Sequence, residues 1–281
     1  MASDHGRYRR RTLTVMRADE PDSLYLDHQK LTAVPEAVAN HTALRRLHLW
    51  GNTLASLPDW LWDLRQLEEL NLAGNQLTVI SPRIGQLHLL RLLDLGHNAL
   101  QAVPEELGQL SELSGYLYLH QNRLTALPAT LSRLVKLPYL NVSANRLTGL
   151  PATIGGLAAL KEPRASDNRL TVLPDSMGQL DALRELWLDD NQVGTLPDTM
   201  ACLEDLRVLS LRNNRFDRLP DWLGQLSSLR SLDLRGNQLL KLPASVAALA
   251  GLERLDLRWN PLEREPPWLT DLERRGCTVW R

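Results

Sequence analysis

Residues 67–77 read LEELNLAGNQL, and their pattern of leucines and asparagine predicts the fold. Leu70 and Leu72 alternate with polar residues, which is the pattern of a short strand with one buried face. Asn75 follows the strand, and Leu77 resumes the apolar pattern after it. The stretch therefore predicts a short strand and then a turn whose leucines point to the same interior.

The same pattern recurs along most of the chain. The spacing between successive equivalents of Asn75 is 23 residues, except for one spacing of 24 between Asn98 and Asn122. In the first unit Gln29 replaces the asparagine, so the chain contains eleven repeats. The asparagines are Asn52, Asn75, Asn98, Asn122, Asn145, Asn168, Asn191, Asn214, Asn237 and Asn260.

The remainder of each unit indicates a tight return to the next strand. Leucines three residues apart after the asparagine, such as Leu54 and Leu57, suit a turn and a short helical or 3₁₀ segment. No single unit can bury its leucines alone, whereas stacked units form one continuous core. We therefore predict an α/β solenoid, a curved arc with a parallel concave β-sheet and short helical or 3₁₀ convex segments.

Composition supports one environment repeated many times. Leucine accounts for 64 of the 281 residues, and phenylalanine occurs once. Each asparagine is predicted to be structural, because an inward amide both donates and accepts and can satisfy the buried backbone groups of a turn.

The repeating unit resembles the leucine-rich repeat family. Its 23-residue length and recurrent Leu-Pro pair are similar to the intracellular subclass of Ras-group-related plant proteins and Ras-suppressor proteins, which also has bacterial members. The resemblance covers roughly residues 22–262, and we expect a bacterial protein. The residues that carry it are Leu67, Leu70, Leu72, Asn75 and Leu77 in one unit, and Leu124, Leu127, Pro128, Leu131 and Leu134 in another.

Both ends of the array need covering, because a solenoid exposes its core there. Residues 1–21 are predicted to be an N-terminal extension or cap, residues 22–262 the repeats, and residues 263–281 a C-terminal cap. The repeat around Pro163 is irregular, because Pro163 and Ala165 stand where other units have Leu or Val. This irregularity is either a tolerated defect or a place where a partner approaches the backbone.

Charge and composition limit the classes of partner. The 32 basic and 33 acidic residues give a formal charge of −1, which argues against a nucleic-acid binder. No apolar run is long enough to cross a membrane, and the basic N-terminus lacks the apolar centre of a secretion signal. With only two cysteines, we expect free thiols and a cytoplasmic location, with delivery into a host cell without a cleaved signal as the alternative. We also expect a monomer.

No catalytic motif is recognisable in the sequence. There is no histidine or cysteine pair at metal-ligand spacing, no glycine-rich phosphate loop, and no nucleophile with an identifiable base. We therefore predict no metal, no cofactor and no enzymatic activity.

Candidate binding residues follow from the register, because side chains that alternate with the buried strand leucines face the concave surface. The densest aromatic group is Tyr116, Tyr118, His120 and Tyr139. Aromatic residues on a rigid surface are typical anchors of protein interfaces, although these rings could simply cover their neighbours. Trp50 and Trp187 flank the group, three repeats to either side.

The last repeats present a second candidate set, Arg212, Arg235 and Arg258. Asp233 and Asp256 alternate with these arginines. They form either a self-satisfied network of exposed ion pairs or an electrostatic recognition patch.

The function predicted from the sequence is a non-catalytic recognition scaffold that binds an unidentified protein partner on its concave face. The alternative is the substrate-binding arm of a larger bacterial effector or signalling enzyme, ubiquitin-ligase-like or GTPase-associated, of which this chain is the repeat fragment.

Overall fold

The computed structural model describes residues 21–281, so the extension or cap expected before the first repeat lies almost wholly outside the described residues. Within the described part, twelve strands form one open parallel sheet in sequence order. The strands, β1 to β12, are Ser23–Tyr25, Arg46–His48, Glu69–Asn71, Leu92–Asp94, Tyr116–Tyr118, Tyr139–Asn141, Glu162–Arg164, Glu185–Trp187, Val208–Ser210, Ser231–Asp233, Arg254–Asp256 and Thr278–Trp280.

Equivalent residues of neighbouring repeats pair with each other, as the 23-residue period predicts. In β5 and β6, Tyr116 pairs with Tyr139 and Leu117 with Leu140. The central leucine of almost every strand is buried, while its two neighbours in the strand are at least partly exposed in most repeats. The predicted α/β solenoid of about eleven repeats is confirmed, and one continuous apolar core runs along it.

The convex side consists of ten short 3₁₀ segments in the described residues. Eight of them begin directly after a proline, whose fixed φ directs the chain into the segment and whose missing N–H needs no partner there. The segments are Glu36–Asn40, Asp59–Asp63, Pro82–Gln86, Glu105–Gln109, Ala129–Arg133, Ile154–Gly156, Asp175–Gln179, Asp198–Cys202, Asp221–Gln225 and Ala244–Ala248.

The residue just before each repeat asparagine is left-handed in every repeat, a feature the sequence analysis did not predict. Glycine occupies this position three times, at Gly51, Gly74 and Gly236, and it adopts positive φ at no steric cost. The other eight repeats place a residue with a Cβ in the same conformation. These residues are His28, His97, Gln121, Ala144, Asp167, Asp190, Asn213 and Trp259.

Pro163 interrupts the sheet, as its chemistry predicts. Between β7 and β8 only Arg164 and Trp187 are paired, whereas every other pair of neighbouring strands has three pairs in register. The gap is local, because the amide of Glu185 still donates to Lys161 at 3.0 Å and that of Ala165 to Trp187 at 2.9 Å. Proline has no N–H to donate, so one ladder step is lost and the sheet resumes on both sides.

The 24-residue repeat accommodates its extra residue before β5. Leu92 still pairs with Tyr116, so the register of the sheet is unchanged. The amide of Gly115 donates to Arg91 at 3.0 Å, and a Cβ at this glycine would lie 2.0 Å from Leu92 Cδ2. Glycine therefore leaves room for the side chain of Leu92 from the preceding repeat.

The last residues depart from the repeat. An α-helix, α1, spans Trp268–Arg274 and buries Leu269 and Leu272 in the continuous core. β12 follows and extends the sheet by pairing with β11. The division of the chain at residue 263 stays a prediction.

Candidate functional site

The centre of the concave face holds an aromatic cluster on β5. The rings of Tyr116 and Tyr118 are stacked, with centroids 4.3 Å apart and planes inclined by 16°. The ring of His120 meets Tyr118 edge-on at 5.8 Å. Because the two tyrosines are fixed on one strand and pack against each other, they present a rigid apolar surface with two hydroxyl groups.

Tyr139 lies beside this cluster across a cavity of about 260 Å³. The cavity is lined by Tyr118, Tyr139, Leu140, Asn141, Glu162 and Arg164. Tyr139 is 43% exposed, and Arg164 donates to Glu162 at 2.6 Å on the opposite wall. Aromatic rings on one side of the cavity thus face an amide and an ion pair on the other. This combination suits a ligand that carries both apolar and polar groups.

Burial sets the protonation of both stacked tyrosines. It raises the pKa of Tyr116 to about 12, and the nearby carboxylates of Glu69 and Asp94 add to the shift. Burial also raises the pKa of Tyr118, again with a contribution from Asp94. Both phenols therefore remain neutral at physiological pH and can donate hydrogen bonds.

His120 continues the cluster toward the turn and packs against Gly96. A Cβ at Gly96 would lie 2.4 Å from the imidazole, so the ring occupies the space that the missing side chain leaves. Its Nδ1 is buried without a hydrogen-bond partner in the described structure. Burial lowers the pKa of His120, although Asp94 opposes this shift, and burial raises the pKa of Asp94 in turn. Neutral histidine is therefore favoured here.

The two flanking tryptophans differ in their relation to the cavity. Trp187 donates through Nε1 to Glu185 at 3.0 Å, and the guanidinium of Arg164 lies 5.7 Å from its ring. It is thus linked to the cavity through Arg164. Trp50 is 45% exposed and contacts His28 edge-on at 4.2 Å, far along the sheet from the tyrosines.

The three predicted arginines are engaged by neighbouring carboxylates. Arg235 donates to Asp233 at 3.0 Å, and its Nε lies 3.3 Å from Asp256. Arg258 donates to Asp256 at 2.9 Å, with the rings of two tryptophans near its guanidinium. Arg212 donates to Asp190 at 2.7 Å. The structure therefore favours the ion-pair network over a patch of free positive charge.

Across residues 21–281, no group of three or more His, Cys, Asp or Glu side chains could hold a metal ion. None of the described helices is long and apolar enough to cross a membrane. Cys202 is exposed, Cys277 is buried, and both are free thiols.

Asn141, Glu162 and Arg164 also line the cavity, and they were not among the binding residues predicted from the sequence. They occupy the same two columns as the predicted tyrosines, one or two repeats further along. The sequence feature that could have identified them is a polar residue that follows a predicted tyrosine in the same column, one or two repeats later.

Comparison with known proteins agrees with this architecture. A sequence model of the leucine-rich repeat family matches residues 22–77, 166–216 and 204–262, which is slightly more than half of the chain. No curated protein gives a significant sequence match.

Solved structures share the fold. The plant peptide hormone receptor RGFR1, solved in complex with RGF2, is 26% identical with a TM-score of 0.75, over 92% of this chain and 46% of that chain. The leucine-rich repeat ectodomain of GASSHO1/SCHENGEN3 from Arabidopsis thaliana was solved in complex with CASPARIAN STRIP INTEGRITY FACTOR 2. It is 29% identical with a TM-score of 0.71, and the match covers 92% of this chain and 38% of that chain. InlJ of Listeria monocytogenes is 20% identical with a TM-score of 0.74, and the match covers 92% of this chain and 53% of that chain. At this identity the likeness shows the fold alone. The chain thus spans less than half the length of the two plant receptors.

Proposed function

This chain belongs to the leucine-rich repeat family, and we propose that it is a non-catalytic recognition scaffold that binds a protein partner on its concave face. The observation that carries the proposal is the cavity between Tyr118 and Tyr139, walled on its other side by Glu162 and Arg164. A rigid sheet holds these groups in place before binding, so little ordering is needed when a partner arrives.

The chemistry of the cavity supports a polypeptide ligand. Tyrosine combines a large apolar ring with a polar tip and is enriched where binding energy concentrates in interfaces. Asn141 adds donors and acceptors that can pair with a peptide backbone, although its Oδ1 already accepts from the amide of Ser143 at 3.0 Å. RGFR1, a peptide hormone receptor by its description, offers a precedent in the same fold.

The repeat subclass, the origin and the location of the protein are proposed from the sequence. The regular 23-residue period and the proline before most 3₁₀ segments support membership of the Ras-group-related and Ras-suppressor-like subclass, and with it a bacterial, cytoplasmic protein. Delivery into a host cell is the alternative location. We also propose that the protein is a monomer, with one partner molecule filling its concave face.

A second candidate is the substrate-binding arm of a larger effector or signalling enzyme. This candidate comes from the resemblance, because leucine-rich repeats also serve as the substrate-binding arms of bacterial effectors that carry a catalytic domain. Determining the ends of the gene distinguishes the two candidates. An open reading frame that continues into a catalytic domain would favour the arm, and one that ends at Arg281 would favour the scaffold.

The proposed function can be tested with crosslinked capture from native lysate. Wild type and a Tyr118→Ala/Tyr139→Ala variant serve as baits, and Trp259→Ala is the control because it removes an aromatic ring that is 72% exposed outside the cavity. A partner recovered by wild type and the control should be lost from the double variant, with at least about 30-fold weaker affinity on titration. Equal capture by all three baits would place the binding site elsewhere.

A further inference from the structure

The residue immediately before each strand of the sheet forms a column along the edge where the strands begin. In four consecutive repeats this residue is basic: Lys161, Arg184, Arg207 and Arg230. We call these four residues the basic edge. Lys161 is partly exposed and the three arginines are exposed.

Backbone hydrogen bonds place the four residues side by side. The amide of Arg184 donates to the carbonyl of Lys161 at 2.9 Å, and that of Arg207 donates to Arg184 at 2.8 Å. The amide of Arg230 donates to Arg207 at 2.8 Å. Because neighbouring strands are about 4.8 Å apart, the basic edge is a row of four charges roughly 14 Å long.

Three of the four basic side chains form no ion pair with a described residue. Among residues 21–281, no carboxylate lies within 4.0 Å of Lys161, Arg184 or Arg207. Only the last member has partners, since Arg230 lies 4.0 Å from Glu253 and donates to the carbonyl of Gly251 at 3.1 Å. On the concave face, by contrast, Arg212, Arg235 and Arg258 are each paired with an aspartate.

The same column is arranged differently in the first repeats. There Arg45, Glu68 and Arg91 alternate in sign, and Arg45 pairs with Glu68 at 3.0 Å. Like charges on adjacent strands destabilise a sheet, whereas opposite charges stabilise it. The fold therefore does not require the basic edge, and its repulsion points to a role in binding.

We propose that the basic edge binds an acidic, extended segment of the protein partner. This rests on the proposed function and names the chemistry of the partner. Lys161 directly precedes Glu162, which lines the tyrosine cavity, so the edge begins beside that cavity. One segment can thus place an apolar residue against the tyrosines and its acidic residues along the edge.

A narrow ligand fits better than a broad polyanion. Asp181, Glu204 and Asp205 are exposed on the turns that lead into the same strands. Their carboxylates would repel a nucleic-acid duplex or an anionic bilayer lying across this side. An extended peptide contacts one row of residues and avoids them.

The test uses a fluorescein-labelled decaglutamate peptide and fluorescence anisotropy at low salt. In Arg207→Glu an acidic residue separates Arg184 from Arg230 and interrupts the row of positive charge, so we expect roughly tenfold weaker binding than wild type. The matched control is Arg91→Glu, which makes the same change of net charge in the same column outside the basic edge, and it should bind within about twofold of wild type. Binding should also weaken steeply as salt is added.

Two further measurements make the result decisive. The urea midpoint of Arg207→Glu should equal or exceed that of wild type, because the substitution removes repulsion. Tyr118→Ala/Tyr139→Ala should still bind decaglutamate, so failure of the cavity and failure of the basic edge are distinguishable. No binding of decaglutamate by wild type, equal weakening by Arg91→Glu, a lower midpoint for Arg207→Glu, or tighter binding to duplex DNA or phosphatidylserine vesicles would each overturn the proposal.

Discussion

The side-chain amide of Asn75 donates a hydrogen bond of 2.9 Å to the carbonyl of Leu49, which lies 26 residues earlier in the preceding repeat. The same nitrogen donates to Leu72 of its own repeat at 3.0 Å, and its oxygen accepts from the amide of Leu54 at 3.0 Å. One buried side chain thus satisfies backbone groups of two consecutive turns. The pattern recurs at the asparagine of each following repeat up to Asn260.

Replacing Asn75 by alanine should destabilise the protein strongly. The substitution leaves the buried amide of Leu54 without its acceptor, whereas the carbonyls of Leu49 and Leu72 each keep a second asparagine donor, so we expect a loss of about 1–3 kcal/mol. Urea unfolding followed by circular dichroism measures it. The control is Gln76→Ala, which removes an exposed neighbouring amide and should change the free energy of unfolding by less than about 0.5 kcal/mol. Equal urea midpoints for the two variants would show that the side chain of Asn75 does not stabilise the fold.

The fold was predictable because its determinants are local and periodic. Leu70, Asn75 and their equivalents fix the strand, the turn and the register in every repeat, and the structure places the eleven repeat strands, β1 to β11, where the period puts them. The left-handed residue before each asparagine was harder to find. Gly51, Gly74 and Gly236 occupy that position in three repeats. Residues such as His28 and Trp259 adopt the same positive φ in other repeats, so the sequence shows no consistent glycine that would reveal the left-handed conformation.

The candidate site was only partly predictable. The register placed the stacked tyrosines on one strand, because backbone pairing determines which residues share a column. It could not show that Arg235 folds onto Asp233 and Asp256, because the rotamers of long side chains depend on three-dimensional contacts. The basic edge was missed because its residues precede the strands, where the alternation of inward and outward residues does not apply.

Pro163→Leu should stabilise the protein. Leucine is the usual residue at this buried position and would supply both the missing N–H and additional apolar volume, so we expect a gain of about 1–2 kcal/mol in urea unfolding. As a control, Pro128→Leu changes a proline that begins a 3₁₀ segment and offers no missing ladder bond, so it should give no gain. A destabilised Pro163→Leu variant would mean that the backbone around Pro163 has adapted to the proline.

Hydrogen exchange should be locally faster at the same place. The amides of Val142, Ala165 and Leu188 are equivalent in three consecutive repeats and donate at 2.8, 2.9 and 2.9 Å. Ala165 lies beside the interrupted step, so its amide should exchange faster than the other two, since local opening follows the weaker packing and pairing of that repeat. Mass spectrometry of exchanged fragments measures this. Uniform protection of all three amides would show that one missing bond does not loosen the array.

Acidification should destabilise the protein through His120. Burial lowers the pKa of this imidazole below its ordinary 6.5 in the folded state, so the unfolded chain takes up a proton that the folded protein resists. The stabilising contribution is complete above the unfolded pKa and is lost as pH falls through the folded pKa. Urea midpoints between about pH 7.5 and about pH 5.5 should therefore fall less steeply in His120→Gln than in wild type. His88→Gln removes an exposed histidine and should retain the wild-type slope.

Arg235→Ala should lower stability without weakening partner binding, because the guanidinium is already engaged within the sheet. Its removal leaves Asp256, which is only 7% exposed, with one fewer cationic partner, and we expect a loss of about 1–2 kcal/mol. A double-mutant cycle with Asp256→Asn isolates the coupling between the two side chains. The control is Arg254→Ala, which removes an exposed arginine two residues from Asp256 and should be nearly neutral. Unchanged stability together with lost partner capture would instead assign Arg235 to recognition and restore the electrostatic patch as the binding site.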